Sequence, residues 1–282
     1  MIIIYSLNET YIQNYYFLKA LKNIENVSVG ITVHDVVPFS NIGPNFIFKN
    51  QDQILSLGDF YIVHNNFSKN VLRNKFPMKK DYIFFHRFPL MDLKKYKYKI
   101  NKRKKENIIR FLMLGVMRKE KGLEILFKAW EKIQNEYKNV ELIIAGYIPY
   151  NPNYNYIELK KVKIYNKYLT DEEYIEFIMN SDYIVLPYTK GTNSGILSTV
   201  SSLLKPSITS DLKMFLESDF SIKNLIFKKG DSEDLYKVLK WVIDNHSKEY
   251  ENLVRKLNDK VVKYERNFWK EVEYAYKKIC NR

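Results

Sequence analysis

Residues 109–122 read IRFLMLGVMRKEKG. The first six are almost continuously apolar, which is typical of a parallel strand that is covered on both faces. A turn follows at Gly115, and residues 123–137 then repeat apolar positions at helical spacing. A buried strand that leads through a glycine turn into an amphipathic helix predicts an α/β fold.

The same alternation continues along the chain in both directions. Short apolar runs predict strands at Ile2–Tyr5, Val29–Val33, Phe60–His64, Tyr82–Phe85, Ile109–Leu114, Val140–Ala145, Tyr183–Pro187, Ser207–Thr209 and Leu225–Phe227. Helical spacing is clearest at Leu123–Tyr137, Asp171–Asn180, Ile196–Leu204 and Ser232–Asp244. Thr170 precedes three acidic residues, which predicts a helix N-terminus there. We therefore expect doubly wound parallel sheets, with a long polar helix after Asn245.

Composition narrows the class of protein. The chain has 282 residues, which suggests about two domains, and its hydrophobic content of 46% suits packed cores. Aromatic residues make up 15%, which excludes a disordered or fibrous chain. Cys280 is the single cysteine, so an intrachain disulfide and a cysteine-based zinc site are excluded. With no signal-peptide pattern and no apolar run near ~18 residues, we expect a cytoplasmic protein.

The formal net charge of +14 is concentrated partly in residues 94–105, where eight of twelve residues are basic. A solvated linker between two domains is one interpretation of this stretch. Contact with an anionic membrane surface or with nucleic acid is the other. Because no nucleic-acid-binding motif accompanies the charge, we expect no nucleic-acid partner and keep a peripheral membrane contact as the alternative.

Ligands of open parallel sheets bind beyond the carboxyl ends of the strands, and two loops at such positions are candidates for binding an anion. Arg118 and Lys121 lie where a strand leads into a helix, and their cations could hold a diphosphate. An ordinary basic turn would have the same composition. Residues 189–195 read TKGTNSG, and such a loop offers backbone N–H groups to phosphate oxygens at a helix start. A plain N-capped turn is the alternative there.

Other polar residues are weaker candidates. His34 ends a strand and could orient or polarise a substrate, although a lone histidine in this position is more often structural. We interpret His64 and His86 as structural, and Asp182 as a cap or strand-edge residue. No His, Asp or Glu cluster has metal-ligand spacing, and no nucleophile elbow is present.

Taken together, these segments resemble the retaining glycosyltransferases of family 4, which have the two-domain GT-B fold. The resemblance covers most of the chain in the right order. It is carried by Thr32–Asp35, Tyr61–His64 with Ser68 and Lys69, Phe111–Gly115 with Arg118, Lys121, Gly122 and Ala129, Val140–Gly146, Val162–Pro187, Ser194–Leu197, and Lys205 with Pro206.

The resemblance implies two Rossmann-like doubly wound domains. Residues 1–104 would form the acceptor-side domain, residues 105–262 the domain that binds the nucleotide sugar, and a final helix over residues 263–282 would pack back on the first domain. Only about 100 residues precede the Gly115 region, fewer than a full acceptor domain usually has. We therefore expect a truncated N-terminal domain, with acceptor binding reduced or completed by a second chain.

The activity implied by the resemblance is transfer of a hexose from a nucleotide-diphosphate sugar to a saccharide or lipid-linked saccharide in surface polysaccharide synthesis. The nucleotide sugar is a substrate, no cofactor is implied, and no metal is needed. Retention of anomeric configuration is inherited from the family alone. The basic surplus fits work at the inner face of an anionic membrane.

The resemblance also implies which residues act. Arg118 and Lys121 would neutralise the departing diphosphate, and His34 would face the donor sugar. The donor-binding residues would be Gly115, Asn166, Lys167, Tyr168, Lys190, Thr192, Asn193, Ser194 and Gly195. Of these, Asn166, Lys167 and Tyr168 would flank the base.

One departure from the family pattern concerns two glutamates around the donor loop. Thr192 and Val200 occupy their positions here, and the second glutamate normally binds the ribose. A Ser-Gly form of this loop resembles a variant within the family. The alternative is a degenerate homologue that serves as a binding or regulatory partner of another transferase.

Overall fold

The computed structural model describes residues 2–6, 11–34, 36, 52–91, 107–152, 158–191 and 194–281. The chain divides into two compact units. The N-terminal unit contains Met1–Pro89 and Glu265–Arg282, and the C-terminal unit contains Leu90–Tyr264. The basic stretch at residues 94–105 lies outside the described residues.

A four-stranded parallel sheet forms the centre of the N-terminal unit. Its strands are β1 (Ile2–Ser6), β2 (Ser28–Val33), β3 (Phe60–Val63) and β4 (Ile83–Phe85), in the order β1-β2-β3-β4. Helices α1 (Tyr11–Lys22) and α2 (Asn66–Lys75) accompany them, with a 3₁₀ segment at Pro77–Tyr82. The helix α1 was not among the clearest predicted helices, because its tyrosine-rich sequence lacks a distinct apolar stripe.

Side chains of β3 alternate between two apolar layers. Tyr61 and Val63 pack in one core cluster with residues of β2 and α2. Phe60 and Ile62 pack on the other face against Ala275 and Ile279, from the last turns of the final helix. This alternation follows from the two-residue period of a strand, and it explains why β3 is apolar at every position.

The C-terminal unit is built on a six-stranded parallel sheet. Its strands are β5 (Ile109–Leu114), β6 (Val140–Ala145), β7 (Val162–Tyr165), β8 (Tyr183–Leu186), β9 (Ser207–Ser210) and β10 (Ile226–Phe227). The strand order is β10-β9-β8-β5-β6-β7. This is the doubly wound order in which the direction of winding reverses between β5 and β8, and ligands bind at that reversal.

Helices cover both faces of this sheet. They are α3 (Leu123–Glu136), α4 (Asp171–Met179), α5 (Gly195–Ser202), α6 (Lys213–Leu216) and α7 (Ser232–Cys280), with 3₁₀ segments at Lys119–Lys121 and Lys223–Leu225. Phe111 and Trp130 pack in the core on one face, and Leu112 and Leu197 on the other. Each large apolar side chain buried in this way contributes about 1.5–3 kcal/mol.

Most predicted elements are present with ends shifted by one or two residues. The predicted start of α4 is confirmed, because Thr170 and Glu173 form a reciprocal capping box. The strand β7 was not predicted, since its residues alternate between half-buried and exposed positions and so lack an apolar run. The two helical stretches after residue 232 are one continuous helix, α7.

Candidate functional site

A glycine-bounded turn follows β5 at the reversal of the sheet. Gly115 has φ +93° and Gly122 has φ +73°, a left-handed conformation that glycine adopts without strain. A Cβ on Gly122 would lie 2.0 Å from the carbonyl oxygen of Pro187, the residue that follows β8. Only glycine therefore lets the backbones after β5 and β8 approach this closely.

Hydrogen bonds then fix one loop on the other. Thr189 donates from its backbone N–H (2.7 Å) and from its hydroxyl (3.1 Å) to the carbonyl oxygen of Glu120. The carbonyl of Tyr188 accepts a hydrogen bond of 2.7 Å from the Ser210 hydroxyl at the end of β9. The sequence pattern gave no signal for these links, because each joins residues far apart in the chain.

Lys121 is the most unusual ionisable group of this turn. Its Nζ lies 5.3 Å from the centre of the Tyr188 ring and 3.1 Å from where a Cβ of Gly115 would be. Burial, and then the nearby charge of Arg118, lower the pKa of the Lys121 ammonium to about 8. Within the described residues Lys121 forms no ion pair. A buried cation without a carboxylate partner is suited to an anionic ligand.

The start of α5 lies beside the same turn. The Ser194 hydroxyl accepts the Leu197 N–H at 3.3 Å, and Ile196 Cδ1 would lie 3.2 Å from a Cβ on Gly115. The space above Gly195 is open, so a ligand can approach the first N–H groups of the helix. Lys190 is exposed nearby in sequence. The predicted donor residues Thr192 and Asn193 lie outside the described residues.

The three residues predicted to flank a base differ in their contacts. Asn166 uses its side-chain oxygen to accept the Ile148 N–H at 2.8 Å, and Lys167 forms an ion pair with Glu173 at the start of α4. Tyr168 is 70% exposed and stacks on Tyr147 with ring centres 4.6 Å apart. The stacking places Tyr147 beside one of the three predicted residues. Tyr147 follows a strand and a glycine, and sequence reasoning missed it.

His34 lies in the N-terminal unit, at the end of β2. His64 and His86 follow β3 and β4 in the same way, and the ring centres of His34 and His64 are 5.2 Å apart. Burial lowers the pKa of His34, and burial together with His86 lowers the pKa of His64 to about 4. All three imidazoles can hydrogen-bond, and the first two are held in the neutral form at neutral pH.

Hydrogen bonds agree with a structural interpretation of the remaining polar residues. His64 Nδ1 lies 3.2 Å from the carbonyl of His86, and His86 Nδ1 lies 2.8 Å from the carbonyl of Arg87. Asp182 accepts the Arg110 N–H at 2.8 Å and so joins the start of β5 to β8.

Two kinds of feature are absent from the described ranges. These ranges contain no group of three or more His, Cys, Asp or Glu side chains placed to hold a metal ion. Nor do they contain a helix that is both long and apolar enough to span a bilayer.

Residues 109–245 match the family model described as glycosyl transferases group 1. These residues extend from β5 into α7 and include the turn with Arg118 and Lys121. No curated protein matches the chain.

Solved structures of similar fold cover both units. A glycosyltransferase from Rickettsia africae ESF-5 is 16% identical with a TM-score of 0.69, over 100% of this chain and 77% of its own. Sucrose-phosphate synthase from Thermosynechococcus elongatus is 14% identical with a TM-score of 0.73, over 100% and 74%. Anabaena HepE, solved with UDP-glucose, is 11% identical with a TM-score of 0.73, over 99% and 79%. The likeness confirms the expected GT-B fold.

Proposed function

The chain is a glycosyltransferase that belongs, through residues 109–245, to the glycosyl transferases group 1 family, and we propose that its substrates are a nucleotide-diphosphate hexose and a saccharide or lipid-linked saccharide. Surface polysaccharide synthesis on the cytoplasmic side of a membrane is the proposed setting. The net charge of +14 supports a membrane contact, because basic proteins are attracted to anionic lipid surfaces.

The observation that carries this proposal is the buried Lys121 ammonium beside Arg118 at the reversal of the sheet. Two cations in one turn repel each other, and burial adds to the cost of charging Lys121. A diphosphate would supply a negative charge to Lys121, which forms no ion pair within the described residues. At the open start of α5, near Ser194 and Gly195, backbone N–H groups would donate hydrogen bonds to the same anion.

The chemistry proposed for these residues is stabilisation of the leaving group. The bond between the anomeric carbon and the β-phosphate oxygen breaks, and its electron pair stays on the nucleoside diphosphate. Arg118 and Lys121 would offset this growing charge, which requires no metal ion. The acceptor hydroxyl forms the new bond to the anomeric carbon, and in a retaining reaction its proton passes to the departing phosphate oxygen.

The base and the sugar would be held by other residues. The exposed stacked pair Tyr147 and Tyr168 offers an aromatic face to a nucleobase. Asn166 and Lys167 would help to form the surface that binds the base, since Asn166 is hydrogen-bonded to Ile148 and Lys167 is paired with Glu173. For Lys190, Thr192, Asn193 and His34 the proposal rests on the family resemblance. Because burial disfavours its charged form, His34 would act as a neutral hydrogen-bonding group.

A panel of nucleotides tests the proposal. We expect one of UDP, GDP, dTDP, ADP and CMP to raise the thermal midpoint, with UDP first because HepE was solved with UDP-glucose. At 100 times Kd, specific binding stabilises a protein by about 2.7 kcal/mol. The Arg118→Ala variant should lose this shift. Sugars of the binding nucleotide are then screened for turnover, and absence of a shift with every nucleotide would overturn the proposed donor site.

A further inference from the structure

A second group of cations lies in the N-terminal unit, around a cavity of about 560 Å³. The cavity lies beside β4, between α2, the 3₁₀ segment at Pro77–Tyr82 and the last turns of α7. Five basic side chains line it, and these are Lys69, Arg73, Lys80, Lys270 and Lys278. Its volume is in the range of small-molecule sites.

The cations come from helical elements, which hold the backbone beneath each of them in place. Lys69 and Arg73 are one turn apart on α2, and Lys270 and Lys278 are two turns apart on α7 with Tyr274 between them. Residues spaced by four lie on one face of a helix, so each helix presents its cations on one side.

The carboxylates that line the cavity do not balance the positive charge of the five basic side chains. Two carboxylates line the cavity, Asp81 and Glu271. Glu271 is already engaged by Arg87, through its backbone N–H at 3.1 Å and its guanidinium at 3.5 Å. Within the described residues none of the five cations forms an ion pair. Burial, and then the charge of Arg73, lower the pKa of Lys69.

We propose that this cavity binds a phosphate or diphosphate group, at a site separate from the donor site in the C-terminal unit. A multiply charged anion can meet several cations at once, with Arg73 as a planar fork and the lysines as point charges. The buried rings and methyl groups of Phe84 and Ala275 would line an apolar part of the cavity. This inference does not depend on the proposed donor chemistry.

The group could belong to a lipid headgroup or to a soluble phosphate compound. Exposed aromatic residues at Trp269 (68%) and Tyr274 (65%) lie on the same stretch of α7 as Lys270. Aromatic and basic residues together are typical of surfaces that contact a bilayer interface. The shared chemistry is the phosphate, and the experiment separates its sources.

The test compares Lys69→Gln/Arg73→Gln with Lys128→Gln/Lys138→Gln, which removes the same charge from exposed positions of the other unit. Each protein is titrated at low salt with pyrophosphate, and separately with phosphatidylcholine vesicles with or without phosphatidylglycerol. We expect the first variant to bind on the order of 30-fold more weakly, from roughly five- to sixfold per cation, and the control to change little.

Further variants keep the result interpretable. Pyrophosphate titrations on Arg118→Ala isolate the cavity from the proposed donor site, and binding that survives this change but is lost with Lys69 and Arg73 supports the cavity. Lys69→Arg/Arg73→Lys keeps the charge and should keep binding. Thermal midpoints show whether each variant is folded, and removal of the like charges on α2 should not lower them.

The outcomes identify the source or overturn the proposal. Loss of pyrophosphate and phosphatidylglycerol binding together indicates a lipid headgroup, and loss of pyrophosphate binding alone indicates a soluble compound. Unchanged pyrophosphate binding in Lys69→Gln/Arg73→Gln, or no binding that survives Arg118→Ala, would overturn the site. Equal losses in the control variant would do the same, since they would indicate a general effect of net charge.

Discussion

The carboxyl edges of the two parallel sheets carry different chemistry. In the C-terminal unit, β5 leads into a turn with Arg118 and the buried Lys121. In the N-terminal unit, β2, β3 and β4 each lead directly into a histidine, at His34, His64 and His86. Both edges are built from parallel strands, so the architecture explains where the polar groups lie but not their kind.

The charge state of each edge explains the difference. Lys121 keeps an ammonium with a pKa of about 8 in a buried place, which favours the binding of an anion. His64 has a pKa of about 4, because burial and the neighbouring His86 disfavour its cation. One edge therefore holds Lys121, a cation that forms no ion pair within the described residues, whereas the other holds His34 and His64 as neutral hydrogen-bonding rings.

The sharpest test of the charged edge is Lys121→Met, which keeps the side-chain volume and removes the ammonium. We expect turnover to fall about 10²–10³-fold, the usual effect of removing one group that stabilises developing charge. The same variant should be more stable without ligand, by about 3 °C in thermal midpoint, since it no longer buries an unpaired cation.

Lys119→Met is the matched control, because Lys119 lies in the same 3₁₀ segment but is exposed. It should change turnover by a few-fold at most and leave the thermal midpoint unchanged. Full turnover in Lys121→Met would remove the basis for contrasting the two edges by charge.

The close approach of the loops after β5 and β8 is tested by Gly122→Ala. We expect a loss of about 3 kcal/mol in unfolding free energy, from the left-handed backbone and from the contact with the Pro187 carbonyl. Gly230→Ala is the control, since Gly230 has φ +79° but open space around it, and should cost about 1 kcal/mol. Urea unfolding measures both, and equal costs would contradict the close approach.

The histidine edge of the N-terminal unit is tested by the pH dependence of stability. Because the folded pKa of His64, about 4, lies below its ordinary value of 6.5, the unfolded chain binds more protons between these values. Its contribution to stability is therefore full above pH 6.5 and falls as the pH drops towards 4. From pH 7.5 to 5 the loss is about 2 kcal/mol.

His64→Gln removes the titrating ring and keeps a donor for the carbonyl of His86. Urea unfolding of both proteins at the two pH values isolates this group from other titrations. When the pH is lowered from 7.5 to 5, we expect the unfolding free energy of the variant to fall by about 2 kcal/mol less than that of the wild type. An identical pH dependence in the two proteins would show that His64 is not held neutral by its surroundings.

Sequence patterns predicted the strands that are buried on both faces, because continuous apolar runs such as Ile109–Leu114 leave little ambiguity. They missed β7, where Lys163 and Tyr165 are exposed and only alternate residues pack. The edge of a sheet needs less apolar sequence, so its strands give a weaker signal than central ones.

The candidate site shows a similar division. Gly115, Arg118 and Lys121 were predicted because they lie close together in the sequence and follow a buried strand. Tyr147 was not predicted, because its partner Tyr168 comes from a different strand end. Asn166 and Lys167 were predicted as ligand-binding, and their side chains bond to Ile148 and Glu173.

The sequence alone determined the order of the buried strands and of the clearest helices, and the presence of a basic glycine turn, since these depend on neighbouring residues and on local period. The tertiary structure decided that Thr189 bonds to Glu120, that Lys121 is buried against Tyr188, and that five cations of α2, α7 and the 3₁₀ segment share one cavity. Burial and charge balance depend on which distant segments pack together, and no local pattern specifies them. The pKa values, and with them the chemistry of each edge, follow from that packing.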